Sequence, residues 1–318
     1  MLNRTSNDPA RCPDRLRGSM VALATPFRDG QIDHAAIAAL CERQVNRGAA
    51  AIVVCGSTGE APALSAGEQG GLISAAVEAA AGRVDIVAGC GAPATDAAAA
   101  LARAAARNGA AALLCAPPPY VKPLQDGIIA HVTAIARAAE LPVILYDVPG
   151  RVGVAVKDET VAALFDRGVI AAIKDATGDL ARPPRLRALC GDGLRQLSGD
   201  DATALAHRAM GGHGCISVTA NLVPALCAQL HAAWDRADMA TAARLRDLMA
   251  PLNDALFLES NPIPLKAALN VLRLCSGDLR LPLTRASRGV RDQLAALLPG
   301  IMAAEEEAAG KSRLVLVG

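Results

Sequence analysis

The chain has 318 residues, of which 52% are hydrophobic and 20% charged, and its 32 lysines and arginines nearly balance 31 aspartates and glutamates. This composition excludes a disordered chain, and a net charge of +1 provides no field that recruits nucleic acid or an anionic membrane. No apolar stretch reaches the roughly 18 residues of a membrane span, and the charged first residues lack the apolar core of a signal peptide. We therefore expect a cytoplasmic protein without a nucleic-acid or membrane partner.

Short apolar runs recur along the first two thirds of the chain, separated by alanine-rich segments of helical period such as His34–Arg47 and Asp96–Arg107. The predicted strands are Ser19–Thr25, Ala50–Cys55, Asp85–Ala88, Ala111–Cys115, Val143–Tyr146, Ile170–Lys174, Leu194–Ser198 and Gly214–Ser217. Strands that are apolar throughout and alternate with helices indicate a parallel sheet covered on both faces. Eight such units in about 220 residues predict an α/β fold of the (β/α)8 TIM-barrel type. A doubly wound open sheet is the alternative.

The strand pattern stops after Ser217, and the remaining chain is predicted to form helices with breaks at Pro251 and at the turn 261–264. We expect a small C-terminal helical domain after the barrel and a tail at each end. The predicted limits are 1–17 for the N-terminal tail, 18–237 for the barrel, 238–300 for the helical domain and 301–318 for the C-terminal tail.

Cysteines and histidines show no metal-binding pattern. The nine cysteines form no C-x-x-C pair, several lie inside apolar runs, and the five histidines have no metal-ligand spacing. The segment 89–94 loosely fits a dinucleotide-binding fingerprint, but the next strand lacks the acidic residue at its end that would hold the ribose. Buried thiols in a reducing compartment, with no metal and no nucleotide, are expected.

Polar side chains follow several predicted strands, at the end of a barrel where active sites lie. The second strand leads into Gly-Ser-Thr-Gly-Glu at 56–60, whose hydroxyl and N–H donors suit a carboxylate ligand. The alternative is an ordinary turn with a hydroxyl cap. The chain's two tyrosines, Tyr120 and Tyr146, also follow strands, which favours a role in proton transfer over packing alone.

Lys174 is the one lysine that ends a predicted apolar strand. Desolvation at such a position favours the neutral amine, which can attack a carbonyl and form a Schiff base. The alternative is a structural lysine that extends to the barrel rim or pairs with Asp175.

Several motifs in register make the chain similar to a known family. They are GSTGE at 56–60, YDVPGRVG at 146–153, IKDATGDL at 173–180, LSGDDATAL at 197–205, GGHGCISVTAN at 211–221 and SNPIPLK at 260–266. From about residue 17 to residue 298, the chain resembles the pyruvate-dependent class I aldolase and lyase family of dihydrodipicolinate synthase and N-acetylneuraminate lyase.

The resemblance implies a set of catalytic roles. Lys174 would form the Schiff base with pyruvate, and Tyr146 would donate and accept the proton at the imine. Ser57 and Tyr120 would complete the proton relay, with Tyr120 lent by a neighbouring subunit of a homotetramer built from tight dimers. Because the lysine itself is the electron sink, no metal and no organic cofactor is implied.

The resemblance also implies substrate contacts. Thr58 and the backbone of Ile216 would hold the pyruvate carboxylate, with Gly199 nearby. Arg151 would bind the carboxylate of an aldehyde substrate, as in the synthases of the family. Ser57 departs from the synthases, which more often carry threonine there, but it retains the hydroxyl.

The implied reaction is the condensation of pyruvate with L-aspartate 4-semialdehyde to 4-hydroxy-tetrahydrodipicolinate, in lysine and diaminopimelate biosynthesis. The alternative within the fold is a Schiff-base lyase or aldolase for another 2-oxo acid, of the N-acetylneuraminate or 2-keto-3-deoxy sugar acid type. A catalytically silent relative acting as sensor or scaffold is the alternative from another class. Failure to form an imine with pyruvate would favour it.

Some members of this family bind lysine as a feedback inhibitor at the tight-dimer interface, through polar side chains. The corresponding positions here are Ala66, Gln69, Pro93, Ala97 and Pro119, with Ala61 and Pro62 at the nearby turn. Only Gln69 is polar, and no carboxylate is present to pair with the ammonium group of lysine. Because an unpaired, desolvated ammonium is costly, we expect the enzyme to be insensitive to lysine.

Overall fold

The computed structural model describes residues 16–315 of the chain, including the side chains of residues 16–310. Eight parallel strands pair in chain order, and the last pairs with the first to close a barrel. The strands are β1 (Gly18–Ala22), β2 (Ala51–Val54), β3 (Asp85–Gly89), β4 (Ala112–Cys115), β5 (Val143–Asp147), β6 (Ala172–Asp175), β7 (Arg195–Ser198) and β8 (Gly214–Ser217). The predicted TIM barrel is confirmed, and the open doubly wound sheet is excluded.

Helices surround the barrel and extend beyond it. Those that follow the strands are α1 (His34–Asn46), α2 (Ala66–Ala80), α3 (Thr95–Arg107), α4 (Gln125–Ala139), α5 (Pro149–Val152), α6 (Asp158–Asp166), α7 (Arg182–Cys190) and α8 (Ala204–Ala209). After β8 come α9 (Pro224–Asp235), α10 (Met239–Ala255), α11 (Ile263–Val271) and α12 (Arg288–Val315). Two short strands, Phe27–Arg28 and Gln31–Ile32, form an antiparallel hairpin after β1.

Alternate residues of each barrel strand lie in two separate apolar cores. On β5, for example, Ile144 and Tyr146 lie in the barrel interior, whereas Val143 and Leu145 pack outward against the helices. Because both faces are buried, the strands are mostly apolar, which is the pattern that marked them in the sequence. The exception is β7, which is Arg-Gln-Leu-Ser at 195–198. The predicted strand limits are within three residues of the observed ones. The largest difference is in β1, which ends at Ala22 rather than Thr25. Leu23 N–H still donates to the carbonyl of Val53 at 2.8 Å, and the Thr25 hydroxyl donates to the carbonyl of Gly59 at 2.7 Å.

Two expectations for the C-terminal region are wrong. The break predicted at Pro251 does not occur, because α10 continues through this residue with Met249 and Leu252 buried on either side of it. An interior proline removes one helical hydrogen bond and crowds the preceding turn, and the burial of these neighbours opposes that cost. The tail predicted from residue 301 is instead the second half of α12.

The docking of α12 has a clear physical cause. Ile301, Glu305 and Ala308 are buried, and the helix packs against α9, α10 and α11. At the other end, most of the predicted tail 1–17 lies outside the described residues, but Leu16 is fully buried. Within residues 16–315, none of the helices combines the length and the apolar character needed to cross a membrane.

Candidate active site

A cavity of about 340 Å³ opens at the carboxyl ends of the barrel strands. Six of the eight site residues predicted from the sequence line it: Ser57, Thr58, Tyr146, Arg151, Lys174 and Gly199. The other two do not line it. Ile216 is buried in the barrel interior on β8, and Tyr120 lies on the surface.

Lys174 and Tyr146 form the centre of this cavity. They are register partners on the adjacent strands β5 and β6, and each lies one residue before the end of its strand. The Lys174 ammonium nitrogen lies 4.3 Å from the centroid of the Tyr146 ring, and the lysine is only 5% exposed. The pairing of Lys174 with Asp175, considered above, is not observed. The Asp175 carboxylate instead accepts hydrogen bonds from Arg182 and Thr177.

Lys266, which lies in one of the motifs, has a structural environment. It is fully buried outside the cavity, where its ammonium pairs with Glu60 at 3.0 Å and donates to the carbonyl of Asp278 at 2.8 Å. Burial, the largest cause, lowers the pKa of Lys266, and Glu60 opposes this shift. Among the lysines with described side chains, Lys174 is the one that lines the cavity.

The hydrogen bonding of Thr58 leaves its hydroxyl proton available for a ligand. Its buried Oγ1 accepts a hydrogen bond from the Asn261 amide at 2.9 Å. A hydroxyl that accepts in this way still has its own proton to donate, so Thr58 can donate to an anionic ligand. Asn261 lies in the motif at 260–266, but only its place in the motif distinguished it in the sequence.

Arg151 lies in the short helix α5 and lines the cavity. Its Nη2 donates to the main-chain carbonyl of Asn261 at 2.9 Å, and Phe257 lines the cavity beside it. One hydrogen bond leaves the other guanidinium N–H groups available for an anionic group of a ligand.

Gly199 keeps space for the lysine side chain. A Cβ at this position would lie 2.8 Å from the Cβ of Ala176 and 3.2 Å from Cε of Lys174. Both approaches are closer than ordinary van der Waals contact, so a larger residue would displace Lys174.

The backbone after Ile216 is anchored by Asp201, a residue that the sequence analysis did not single out. Its carboxylate accepts hydrogen bonds from the Ser217 hydroxyl and from the backbone N–H groups of Val218, at 2.8 Å, and Thr219, at 3.1 Å. Burial raises the pKa of Asp201, and these three donors act in the opposite direction. The loop that follows β8 is therefore held rigidly at the cavity, with Val218 in the lining.

Tyr120 is separated from the cavity of its own chain. It is 92% exposed, has a left-handed backbone with φ of 74°, and is followed by the exposed apolar residues Val121 and Leu124. Across residues 16–315, no three histidine, cysteine, aspartate or glutamate side chains are arranged to hold a metal ion.

The family model, the similar sequences and the similar structures agree with one another. The model of the dihydrodipicolinate synthetase family matches residues 15–300. The 4-hydroxy-tetrahydrodipicolinate synthase of Rhodospirillum centenum is 46% identical over 282 residues, which cover 89% of this chain and 97% of that protein. The crystal structure of dihydrodipicolinate synthase from Aquifex aeolicus aligns with a TM-score of 0.88 at 36% identity, covering 90% of this chain and 98% of the other. The chloride-inhibited enzyme of Acinetobacter baumannii, complexed with pyruvate, aligns with a TM-score of 0.86 at 40% identity, covering 93% and 99%.

Proposed function

The chain belongs to the dihydrodipicolinate synthetase family, and we propose that it condenses pyruvate with L-aspartate 4-semialdehyde through a Schiff base on Lys174. The product is 4-hydroxy-tetrahydrodipicolinate, an intermediate of lysine and diaminopimelate biosynthesis. The observation that carries the proposal is the position of Lys174 beside Tyr146, in a cavity that is also lined by hydroxyl donors and an arginine. A relative at 40% identity was solved with pyruvate, which supports the first substrate.

The reaction begins with pyruvate in the cavity. The Thr58 hydroxyl and the backbone near Ile216 bind its carboxylate, and the neutral Lys174 amine attacks its carbonyl carbon. Loss of water gives the imine. Removal of a methyl proton then gives the enamine, with Tyr146 as the proton carrier and Ser57 and a neighbouring subunit's tyrosine as the rest of the relay.

The second half joins the two substrates. The enamine carbon attacks the aldehyde carbon, while Arg151 holds the carboxylate of the semialdehyde. The amino group of the semialdehyde then displaces the Lys174 amine, which closes the ring and frees the enzyme. The condensation involves no net oxidation or reduction, and the imine on Lys174 serves as the electron sink, so the proposed reaction uses no metal or organic cofactor.

The test is reductive trapping. Incubation with pyruvate and borohydride should add a lactyl-sized mass to the peptide that contains Lys174, and Lys174→Ala should remove both the adduct and the turnover. An adduct on Lys266, or undiminished turnover of Lys174→Ala, would overturn the assignment. A coupled assay with aspartate semialdehyde then distinguishes the synthase from an aldolase for another 2-oxo acid. Absence of any adduct would favour a silent relative.

The proposed enzyme is a cytoplasmic homotetramer built from tight dimers, in which Tyr120 serves the neighbouring site. Its high exposure in a single chain is what such a role requires.

We also propose that lysine does not inhibit it. Gln69, the one polar side chain among the positions compared above, is buried and donates to the carbonyl of Ala61 at 3.3 Å. Initial rates should therefore stay constant as lysine is added at fixed ionic strength and pH. Half-inhibition at about 1 mM or below, a binding free energy of about 4 kcal/mol, would contradict this.

A further inference from the structure

A buried cluster of charges lies directly behind the catalytic pair, on the outer side of β5 and β6. We call it the Arg182 cluster, and it consists of Arg182 on α7 with Asp147, Asp158 and Asp175. The Nη1 of Arg182 lies 2.7 Å from Asp147 and 3.4 Å from Asp175, and its Nε lies 2.8 Å from Asp158. Arg182 is only 3% exposed, and its Nη2 donates to the carbonyl of Val156 at 2.7 Å.

The cluster is connected to the site by strand register. Tyr146 pairs with Lys174, and the next residues on the two strands, Asp147 and Asp175, pair with each other. Successive strand residues point to opposite faces, so the tyrosine and the lysine point into the cavity while the two aspartates point outward. One guanidinium nitrogen thus joins the ends of both strands, one residue beyond the groups that are proposed to react.

The two carboxylates depend on this guanidinium. Burial, the largest cause, raises the pKa of Asp147, and Arg182 opposes the shift by charge and by hydrogen bonding. Asp175 also contributes to raising the pKa of Asp147, because its negative charge lies close by. Without Arg182, the two buried carboxylates on adjacent strand ends would repel each other or bind a proton, and in either case the bridge between the ends of β5 and β6 would be lost.

We propose that Arg182 is a positioning residue for the proposed reaction, in that it fixes the separation of Tyr146 and Lys174 through Asp147 and Asp175. This inference rests on the proposed function. Proton transfer between the tyrosine and the lysine-bound intermediate requires close approach of the reacting groups, and a displacement of about 1 Å can lower a rate about 100-fold.

The test separates the rate from the amount of folded enzyme. Borohydride trapping of pyruvate counts the competent sites, and the kcat is expressed per trapped site. We expect Arg182→Met to lower the kcat per trapped site by about 10- to 100-fold. Arg182→Lys, which keeps the charge but loses the planar fork, should recover part of the rate.

The control is Arg185→Met on the same helix. Arg185 also pairs with Asp158 at 2.8 Å, but its side chain is half-exposed and its other partner is Asp179. It does not join the strand ends, so its replacement should leave the kcat per trapped site unchanged.

Three outcomes would each overturn the positioning role of Arg182. A normal kcat per trapped site in Arg182→Met, with only a lower melting temperature, would show a purely structural role and overturn the inference. If Arg182→Met does not fold, Arg182→Lys and Asp147→Asn take its place, and a normal kcat per trapped site in both would overturn it as well. A wild-type protein that traps no pyruvate would refute the proposed function itself, and with it this inference.

Discussion

Replacing the buried Glu305 by alanine should destabilise the docking of the C-terminal helix α12. Glu305 lies on α12 and is fully buried, with 0% exposure. Its carboxylate accepts hydrogen bonds from the backbone N–H groups of Ala225, at 3.1 Å, and Leu226, at 3.0 Å, in the first turn of α9. It also pairs with Arg47 of α1 at 2.8 Å. One carboxylate thus connects three helices.

The size of the destabilisation follows from the groups that lose a partner when Glu305 is replaced by alanine. Two N–H groups at a helix N-terminus lose their acceptor, and the partly buried guanidinium of Arg47 loses one of its two carboxylate partners. Removing one partner of a buried ion pair costs about 3–5 kcal/mol. With an unfolding entropy of about 2.1 cal/mol/K per residue, a protein of this length should lose about 5–8 °C in melting temperature.

Glu306→Ala is the matched control. The Glu306 side chain is 63% exposed and lies 2.7 Å from Nη2 of the same Arg47. Exposed ion pairs contribute about 1 kcal/mol or less, so this variant should melt within about 2 °C of the wild type. Both variants are measured by thermal unfolding at one protein concentration, since assembly shifts the melting temperature. Equal melting temperatures for the two variants would show that this part of α12 is not docked, and the reasoning would be refuted.

Three further predictions concern the site, the histidines and the assembly. Arg151→Ala should lower kcat/KM for the semialdehyde roughly 10- to 150-fold, a charge-assisted contact of about 1.5–3 kcal/mol, with pyruvate trapping unchanged; an equal loss of trapping would contradict a role in the second substrate. Burial lowers the pKa of His231 to about 3 and that of His213 to about 4, so the stabilisation from each neutral imidazole is complete above about pH 6.5 and is lost as the pH falls below it; of the fall in the free energy of unfolding between pH 7 and pH 5, measured with urea, about 2 kcal/mol should come from His231 and be absent in His231→Asn. If the same pH dependence persists in the variant, His231 is not its source. Mixed oligomers of Tyr120→Phe and Lys174→Ala chains should regain activity that neither variant has alone. One site in each mixed dimer combines the intact Lys174 of one chain with the intact Tyr120 of the other. No gain of activity on mixing would exclude a tyrosine shared between subunits.

The barrel could be predicted from the sequence because its cause is local and repeated. A strand buried on both faces is mostly apolar, so eight short runs rich in apolar residues and separated by helical segments were visible without any knowledge of contacts. Lys174 was visible for the same reason, since a charged residue at the end of an apolar run departs from the pattern. The positions of Ser57 and Tyr146 after strands indicated carboxylate binding and proton transfer, whereas their specific roles and that of Arg151 came from motif resemblance; all of them stay predictions.

Only the tertiary structure decided which distant groups support that site. Asn261 donates to Thr58 across 203 residues of chain, and Arg182 reaches Asp147 across 35. The buried Glu305 pairs with Arg47, which lies 258 residues earlier in the chain. Glu305 itself belongs to a segment that was predicted from the sequence to be a tail. A periodic pattern records how each residue is buried relative to its near neighbours, whereas partners of this kind meet only when the barrel closes and the C-terminal helices dock. For that reason the strand ends and the position of the proposed nucleophile were predictable from the sequence, and the hydrogen-bonding partners that surround them were not.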